Sequence, residues 1–368
     1  MIISKADLSA MLFVPPGAAW GIKMQDNIIC RHGGDIYNNK VIYDFSVNTN
    51  PLGMPPLARQ KLAENIDMFG KYPDMQCKRL REEISLKENI DKENILCGNG
   101  ASGIFHLIAN AIKPHKAMVT APAFSGYEYA LRAAGTKVEY YYLEEKKNFV
   151  TDLDILDKIP VDCDIIFLCS PCNPSGRIIS KKVFLEVLSY CESNNIYLVA
   201  DECFLGFMPD YEELSMKSEI QSNYLIIVNA FTKLYAMAGL RLGWCACGNK
   251  GLLAKMQRMQ PEWSVSVPAQ IAGIYALKDK DYIIKTRKLI ASERIKMAGF
   301  LESRGIKVFP SDASFLLVKS SINLYKKLLA KQVLIRDCSN FKGLTDGFYR
   351  IAIRTEEENN ALIKLLDI

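Results

Sequence analysis

The chain has 368 residues, 49% of them hydrophobic and 24% charged, an ordinary globular composition with length enough for a large domain and a smaller one. Its formal net charge of +5 is spread without long blocks of one sign, too mild an excess to argue for nucleic acid. Eleven cysteines and three histidines suggest no metal site; Cys169, Cys203, Cys245 and Cys247 fall in or beside apolar runs and read as small core residues of a cytoplasmic protein in a reducing compartment.

Residues 1–30 read as an extension with no assigned role. Its apolar run Met11-Leu12-Phe13-Val14-Pro15-Pro16 is too short and interrupted for a secretory core or membrane span, so no membrane partner is expected. Residues 31–75 read as an N-terminal arm with part of a small domain, 76–268 as the large domain, and 269–368 as the C-terminal small domain. From about residue 85 strand patterns alternate with helical ones, which argues an α/β fold around a mostly parallel sheet with right-handed crossovers. After Pro268 the chain becomes helical, Tyr282 to Arg304. The runs Val308-Phe309-Pro310 and Ser314 to Val318 then suggest a smaller α+β unit whose strands would present Arg336 and Arg350.

In chain order, the first chemical signal is Gly98-Asn99-Gly100-Ala101-Ser102-Gly103, running into Phe105, Ile108, Ala109 and Ile112, whose spacing marks a helix face. Backbone N–H groups at a helix start can cradle a phosphate, with the Ser102 hydroxyl nearby. Phe124 could stack on a flat ring. Asn173, in Cys169-Ser170-Pro171-Cys172-Asn173-Pro174, could donate its amide to a ring oxygen. Asp201 follows the apolar run Ile196 to Ala200, and an acid at the carboxyl end of a buried parallel strand points into the crevice where open α/β sheets bind ligands. Lys233 follows Leu225-Ile226-Ile227-Val228; a buried amine has a lowered pKa and can attack a carbonyl as the free base. Arg241 supplies a counter-charge for phosphate. Each signal alone has a commoner structural reading, as turn, cap or surface charge. Together they describe a pocket for pyridoxal 5'-phosphate (PLP), with Asp201 keeping a pyridine nitrogen protonated.

The ordered set Gly98 to Gly103, Phe124, Asn173, Asp201, Lys233 and Arg241 resembles the fold-type I, aspartate aminotransferase-like PLP enzymes over residues 31–368. The resemblance implies a PLP-dependent transferase fold: a large domain with a mostly parallel seven-stranded sheet plus a small α+β C-terminal domain. It implies cofactor contacts from Gly100, Ala101, Ser102, Phe124, Asn173, Asp201, Thr232, Lys233 and Arg241, with Lys233 and Asp201 catalytic. It also implies a homodimer in which Tyr72, in Lys71-Tyr72-Pro73-Asp74, reaches the neighbouring subunit's cofactor phosphate.

Within that superfamily the chain is most similar to the threonine-phosphate decarboxylases of cobalamin biosynthesis, then to the histidinol-phosphate aminotransferases. The segments His32-Gly33-Gly34 and Asp44 to Gly53, the pair Arg336 and Arg350, and Phe204 in place of a tyrosine favour the decarboxylases. The implied substrate is a small phosphorylated amino acid, contacted by Asn173, with Arg350 on its carboxylate and His32, Asn48 and Arg336 on its phosphate. Ala230 departs from the usual Ser or Thr, Cys172 from a frequent Asn, and Ser266 from an expected Asn. Two rivals stay open at this point: transamination of a phosphorylated amino alcohol, and a non-catalytic PLP-binding regulator.

Overall fold

The computed structural model describes residues 32–366; the extension expected over residues 1–30 lies outside the described residues. After a short strand β1 (Tyr43–Asp44), seven strands form one sheet: β2 (Ile95–Asn99), β3 (Lys116–Ala121), β4 (Lys137–Tyr142), β5 (Ile165–Cys169), β6 (Tyr197–Asp201), β7 (Leu225–Ala230) and β8 (Leu242–Cys247). Their order is β2-β8-β7-β6-β5-β3-β4, and only β8 runs against its neighbours. The mostly parallel seven-stranded sheet is the one expected. Every residue of β5 and β8 is buried, which is why these segments read as unbroken apolar runs.

Helices cover both faces. Gly100–Ile112, Gly126–Ala133 and Lys250–Met259 pack on one face through Phe105, Tyr127 and Met256, and Lys181–Ser193, Val267–Ala276 and Lys280–Ser303 on the other through Phe184, Ala272 and Ile290. The sequence reading put the helical region after Pro268, but the helix begins at Val267 with Pro268 in its first turn. A proline there removes only an N–H that the helix start leaves unpaired. Ser266 caps this helix, its hydroxyl accepting from the Ala269 N–H at 3.4 Å. Cys169 and Cys172 have the CxxC spacing of redox and metal pairs, which the sequence reading passed over; both are free thiols, each 3% exposed.

The reversal of β8 gathers the site. Because β8 is antiparallel to both neighbours, its first residue, Leu242, sits opposite Asn99, the last of β2. Gly243 likewise sits opposite Ala230, the last of β7. Asp201 ends β6 opposite Cys169, the last of β5. The carboxyl ends of six strands, β2, β3, β4, β5, β6 and β7, therefore share an edge with the entry into β8 just after Arg241.

A second, antiparallel sheet runs β12-β13-β10-β9, from β9 (Lys307–Val308), β10 (Phe315–Lys319), β12 (Arg336–Asp337) and β13 (Phe348–Ala352). β11 (Val333–Leu334) pairs in parallel with β1. Phe45 continues that pairing on both sides, its N–H donating to the Leu334 carbonyl at 2.7 Å and its carbonyl accepting from the Ala352 N–H at 2.9 Å. No helix among the described residues is long and apolar enough to cross a membrane.

Gly243 marks a close approach between β8 and the start of the helix Gly100–Ile112. A Cβ there would lie 2.8 Å from both the Ala101 nitrogen and the Gly100 carbonyl carbon, main-chain atoms that cannot rotate away. Gly243→Ala should therefore destabilise the protein by about 1–3 kcal/mol. A urea melt of the variant checks this, and an unshifted midpoint would mean that the helix start yields freely.

Candidate active site

Asp201 is 5% exposed at the end of β6. Its Oδ2 accepts from the Tyr127 hydroxyl at 2.5 Å and its Oδ1 from the Cys203 N–H at 2.9 Å. Burial pushes its carboxyl up, and these two donors work the other way, favouring the ionised form. Tyr127 itself is buried among Phe105, Phe124 and Phe167, with ring centroids 4.9 to 5.6 Å away. The sequence reading missed it; its one signal was its place three residues after Phe124.

Lys233 lies in the helical turn Phe231–Leu234 just past β7. Desolvation lowers its amine to about 8, and the positive charges of Arg350 and Arg241 add to the shift. Its Nζ lies 5.8 Å from the centre of the Phe204 ring, a neighbour that offers no hydroxyl. Asn50, also missed from sequence, fixes the turn: its N–H donates to the Lys233 carbonyl at 2.9 Å and its side-chain amide to the Leu234 carbonyl at 2.8 Å. The Tyr282 hydroxyl donates to the same Leu234 carbonyl at 3.0 Å. The amine thus rises from a turn whose main chain is held on two sides.

Beside it, the helix Gly100–Ile112 starts with Gly100 at φ +68°, and a Cβ there would meet Arg241 Nη2 at 2.8 Å. Glycine lets the guanidinium lie against the first turn, which contains Ala101 and Ser102. Helix N–H groups and a cation side by side make an anion cradle. Thr232 precedes Lys233 and is half-buried, while Ala230 presents no hydroxyl; its N–H donates instead to Asn229 Oδ1 at 2.8 Å. Phe124 lies across Gly126, where a Cβ would meet its ring at 2.2 Å, and near His32, with ring centroids 5.9 Å apart.

On the other side stand two buried arginines, Arg336 and Arg350, directly paired across β12 and β13. Arg350 is 6% exposed and satisfied by neutral acceptors: the Ser46 carbonyl takes Nη2 at 2.7 Å, and Asn173 Oδ1 takes Nη1. With its amide turned so that oxygen faces the arginine, Asn48 accepts from Nε at 3.1 Å. No carboxylate among the described residues forms an ion pair with Arg350, and burial lowers its guanidinium to about 10. Since Asn173 accepts through oxygen, its amide N–H groups stay available as donors. Arg336 donates through Nη2 to Asn340 Oδ1 at 2.7 Å and lies over the Phe341 ring. Exposed His32 feels both arginines and Lys233; partial burial, then those charges, lower its pKa. Tyr72 is apart from this cluster, 79% exposed, its ring tilted at 31° to that of Trp263 with centroids 4.5 Å apart.

A buried carboxylate at a strand end, a turn-held amine of lowered pKa, a glycine-lined anion cradle and an aromatic face together fit PLP. The family model for aminotransferase class I and II matches residues 40–366. The chain belongs to that family. Its cofactor is pyridoxal 5'-phosphate. It is similar to the threonine-phosphate decarboxylase of Salmonella typhimurium, 32% identical over 91% of this chain and 95% of the relative. It is also similar to a putative threonine-phosphate decarboxylase of Caldanaerobacter subterraneus subsp. tengcongensis, 35% identical over 91% of this chain and 93% of the relative. Among solved structures, the histidinol-phosphate aminotransferase from Clostridium acetobutylicum superimposes with a TM-score of 0.82 at 35% identity, covering 88% of this chain and 98% of that one.

The depressed Lys233 amine predicts a pH profile. Only the neutral amine attacks an aldehyde; at pH 8 about half of such a group is neutral, against roughly 0.3% for an ordinary lysine. Covalent capture of PLP by cofactor-stripped protein should accelerate nearly tenfold per pH unit up to about 8 and then level off. Stopped-flow absorbance measures it, and a rate still climbing at pH 10 would mean that the amine is not desolvated.

Proposed function

We propose that this PLP-dependent enzyme decarboxylates L-threonine O-3-phosphate to (R)-1-aminopropan-2-yl phosphate, a step of cobalamin biosynthesis. The observation that carries the reading is Arg350: a guanidinium taken out of water and surrounded by neutral acceptors keeps its charge for a ligand anion. With Arg336 beside it across one ladder step, the pocket suits a small substrate with two anionic ends. Two relatives carrying the decarboxylase name support the same reading.

When bound, PLP supplies an electron sink for the pair left behind as a bond to the substrate's Cα breaks. Gly100, Ala101, Ser102, Thr232 and Arg241 would hold its phosphate, Phe124 its ring face, Asn173 its ring hydroxyl oxygen and Asp201 its pyridine nitrogen. Lys233, neutral above about pH 8, would anchor the cofactor and, once released and protonated, would deliver a proton to Cα in place of the departing carboxylate. Arg350 grips the α-carboxylate, while Arg336, His32 and Asn48 take the phosphate. Gripping both ends fixes which bond to Cα stands in line to break, so remote binding energy goes into orientation. Phe204 lies beside the Lys233 amine where a tyrosine would add a donor, which is consistent with the decarboxylase reading.

A second reading, histidinol-phosphate transamination, draws on the Clostridium acetobutylicum structure, whose title carries that name. The assay that separates them incubates the purified holoenzyme with threonine phosphate, serine phosphate or histidinol phosphate plus 2-oxoglutarate. Carbon dioxide from threonine phosphate without glutamate formation supports decarboxylation; glutamate from histidinol phosphate with no carbon dioxide overturns it.

The arginines give a finer test. Arg336→Gln should mainly raise KM for the phosphorylated amino acid and leave the poor use of its unphosphorylated analogue little changed. Arg350→Gln should hurt both, each by about 2–5 kcal/mol, because both substrates have the α-carboxylate. Equal losses for both compounds in Arg336→Gln would remove it from the phosphate site.

We also propose a homodimer in which Tyr72 reaches the other subunit's cofactor phosphate. Tyr72, Trp263, Ile66, Phe69 and Met75 are all exposed, an apolar surface of the kind that associates. Where Tyr72→Phe and Lys233→Ala are each inactive, mixing them should recover activity, since one composite site would then carry neither lesion. No recovery would place Tyr72 in its own subunit's site.

A further inference from the structure

We propose that Lys342 is a positioning residue for Arg336: it fastens the loop that supports this arginine to the edge of the large sheet, and so tunes the selection of a phosphate-bearing substrate. The inference rests on the phosphate role proposed above for Arg336.

The loop is residues 338–347, the connection from β12 to β13. It returns to Arg336 twice. Asn340 Oδ1 accepts from Arg336 Nη2 at 2.7 Å, and the guanidinium carbon lies 5.1 Å from the centre of the Phe341 ring. Arg336 Nη1 also donates to the carbonyl of its neighbour Asp337. The direction of the guanidinium therefore depends on where residues 340 and 341 sit. Within the loop, the Phe341 N–H donates to the Cys338 carbonyl and the Leu344 N–H to the Phe341 carbonyl, both at 3.0 Å. These two bonds shape the loop but fasten it only to itself.

Lys342 and Gly343 fasten it to the large sheet. β4 stands last in that sheet's strand order, and Tyr140 and Tyr142, two apart on it, share a face with ring centroids 6.0 Å apart. Lys342 Nζ donates to the Tyr140 hydroxyl oxygen at 2.8 Å, lies 4.1 Å from the centre of that ring and pairs with Glu128 at 3.3 Å. Glu128 is itself held by Arg132 Nε at 2.7 Å, one turn along the helix Gly126–Ala133. Gly343 has φ +84°, and a Cβ there would meet the Tyr142 ring at 3.3 Å and the Ala121 carbonyl at 3.4 Å. The loop main chain thus lies directly on the tyrosine pair and the end of β3.

Lys342 keeps 45% of its side chain exposed, so its ion pair and ring contact contribute little to global stability. Their effect is local. A loop that leaves the sheet edge carries Asn340 and Phe341 away from Arg336, and the apparent affinity for phosphate falls with the fraction of molecules in the fastened state. The other end of the substrate escapes this effect, because Arg350 is held by Ser46, Asn48 and Asn173, none of which belongs to the loop.

The test mixes holoenzyme rapidly with O-phospho-L-threonine or L-threonine and follows the cofactor absorbance to obtain an apparent Kd for each. Lys342→Met should raise the value for the phosphorylated compound about three- to tenfold and leave that for L-threonine unchanged. Lys342→Arg, which keeps the charge over Tyr140, should restore most of the affinity. In an Arg336→Gln background, Lys342→Met should add nothing, because its effect passes through the arginine. An unchanged Kd for the phosphorylated compound, an equal rise for both compounds, or a full effect persisting without Arg336 overturns the proposal. The readout is binding, so it stands whichever reaction the carbon dioxide assay reports. Arg336→Gln alone separates the two readings: if it weakens both compounds equally, the phosphate assignment and this inference fall together, whereas a selective Arg336→Gln with a silent Lys342→Met removes only this one.

Discussion

Charge held out of water between the edge of the large sheet and the small antiparallel sheet is the constraint on which the rest of this structure depends. Lys233, Asp201 and Arg350 meet it in three ways. The lysine sheds its proton more readily, the aspartate accepts two hydrogen bonds, and the arginine spreads its charge over amide and carbonyl dipoles. None relies on a direct ion pair with its neighbours, which would cancel the fields that a cofactor and an anionic substrate can use. The mostly parallel sheet makes this possible, because its strand ends turn polar groups into one crevice while its faces stay dry.

The arginine pair shows how backbone geometry can set chemistry. Arg336 and Arg350 occupy opposite positions on antiparallel neighbours, so their Cα atoms are held about 4.5–5.5 Å apart by the ladder itself. Two like charges so close oppose each other, and the burial that lowers Arg350 to about 10 is reinforced by Arg336. An anion that bridges or pairs with them relieves both effects.

Much of the fold was legible because strands buried on both faces must be continuously apolar, and β5, β6 and β7 could be written down from sequence, with an acid at the exit of β6 and a lysine just past β7. The direction of β8 was not legible, since Leu242 to Cys247 is equally apolar read either way and only its neighbours fix its sense. Residues singled out by local context, such as Asp201, Lys233 and Gly100, lie together at one edge of the large sheet. Tyr127, Asn50 and Ser46 were not legible, because each acts through a partner 74, 184 or 304 residues away that no window of sequence contains. The onset of the helix at Val267 was misjudged for a smaller reason: Pro268 stops a helix when it lies inside one and suits the first turn when it lies there.

The bond from Arg350 to the Ser46 carbonyl has a consequence in time. It joins residues 304 positions apart, and Phe45 is stitched to both Leu334 and Ala352 beside it. On the ribosome the segment around Ser46 emerges early and then waits through the synthesis of the whole seven-stranded sheet for its partners. The edge bearing Asp201, Lys233 and Arg241 can assemble meanwhile from strands already made. A nascent chain can thus possess the Asp201, Lys233 and Arg241 edge well before it has the Arg350 cluster, and long-range closure of this kind is the slow part of folding.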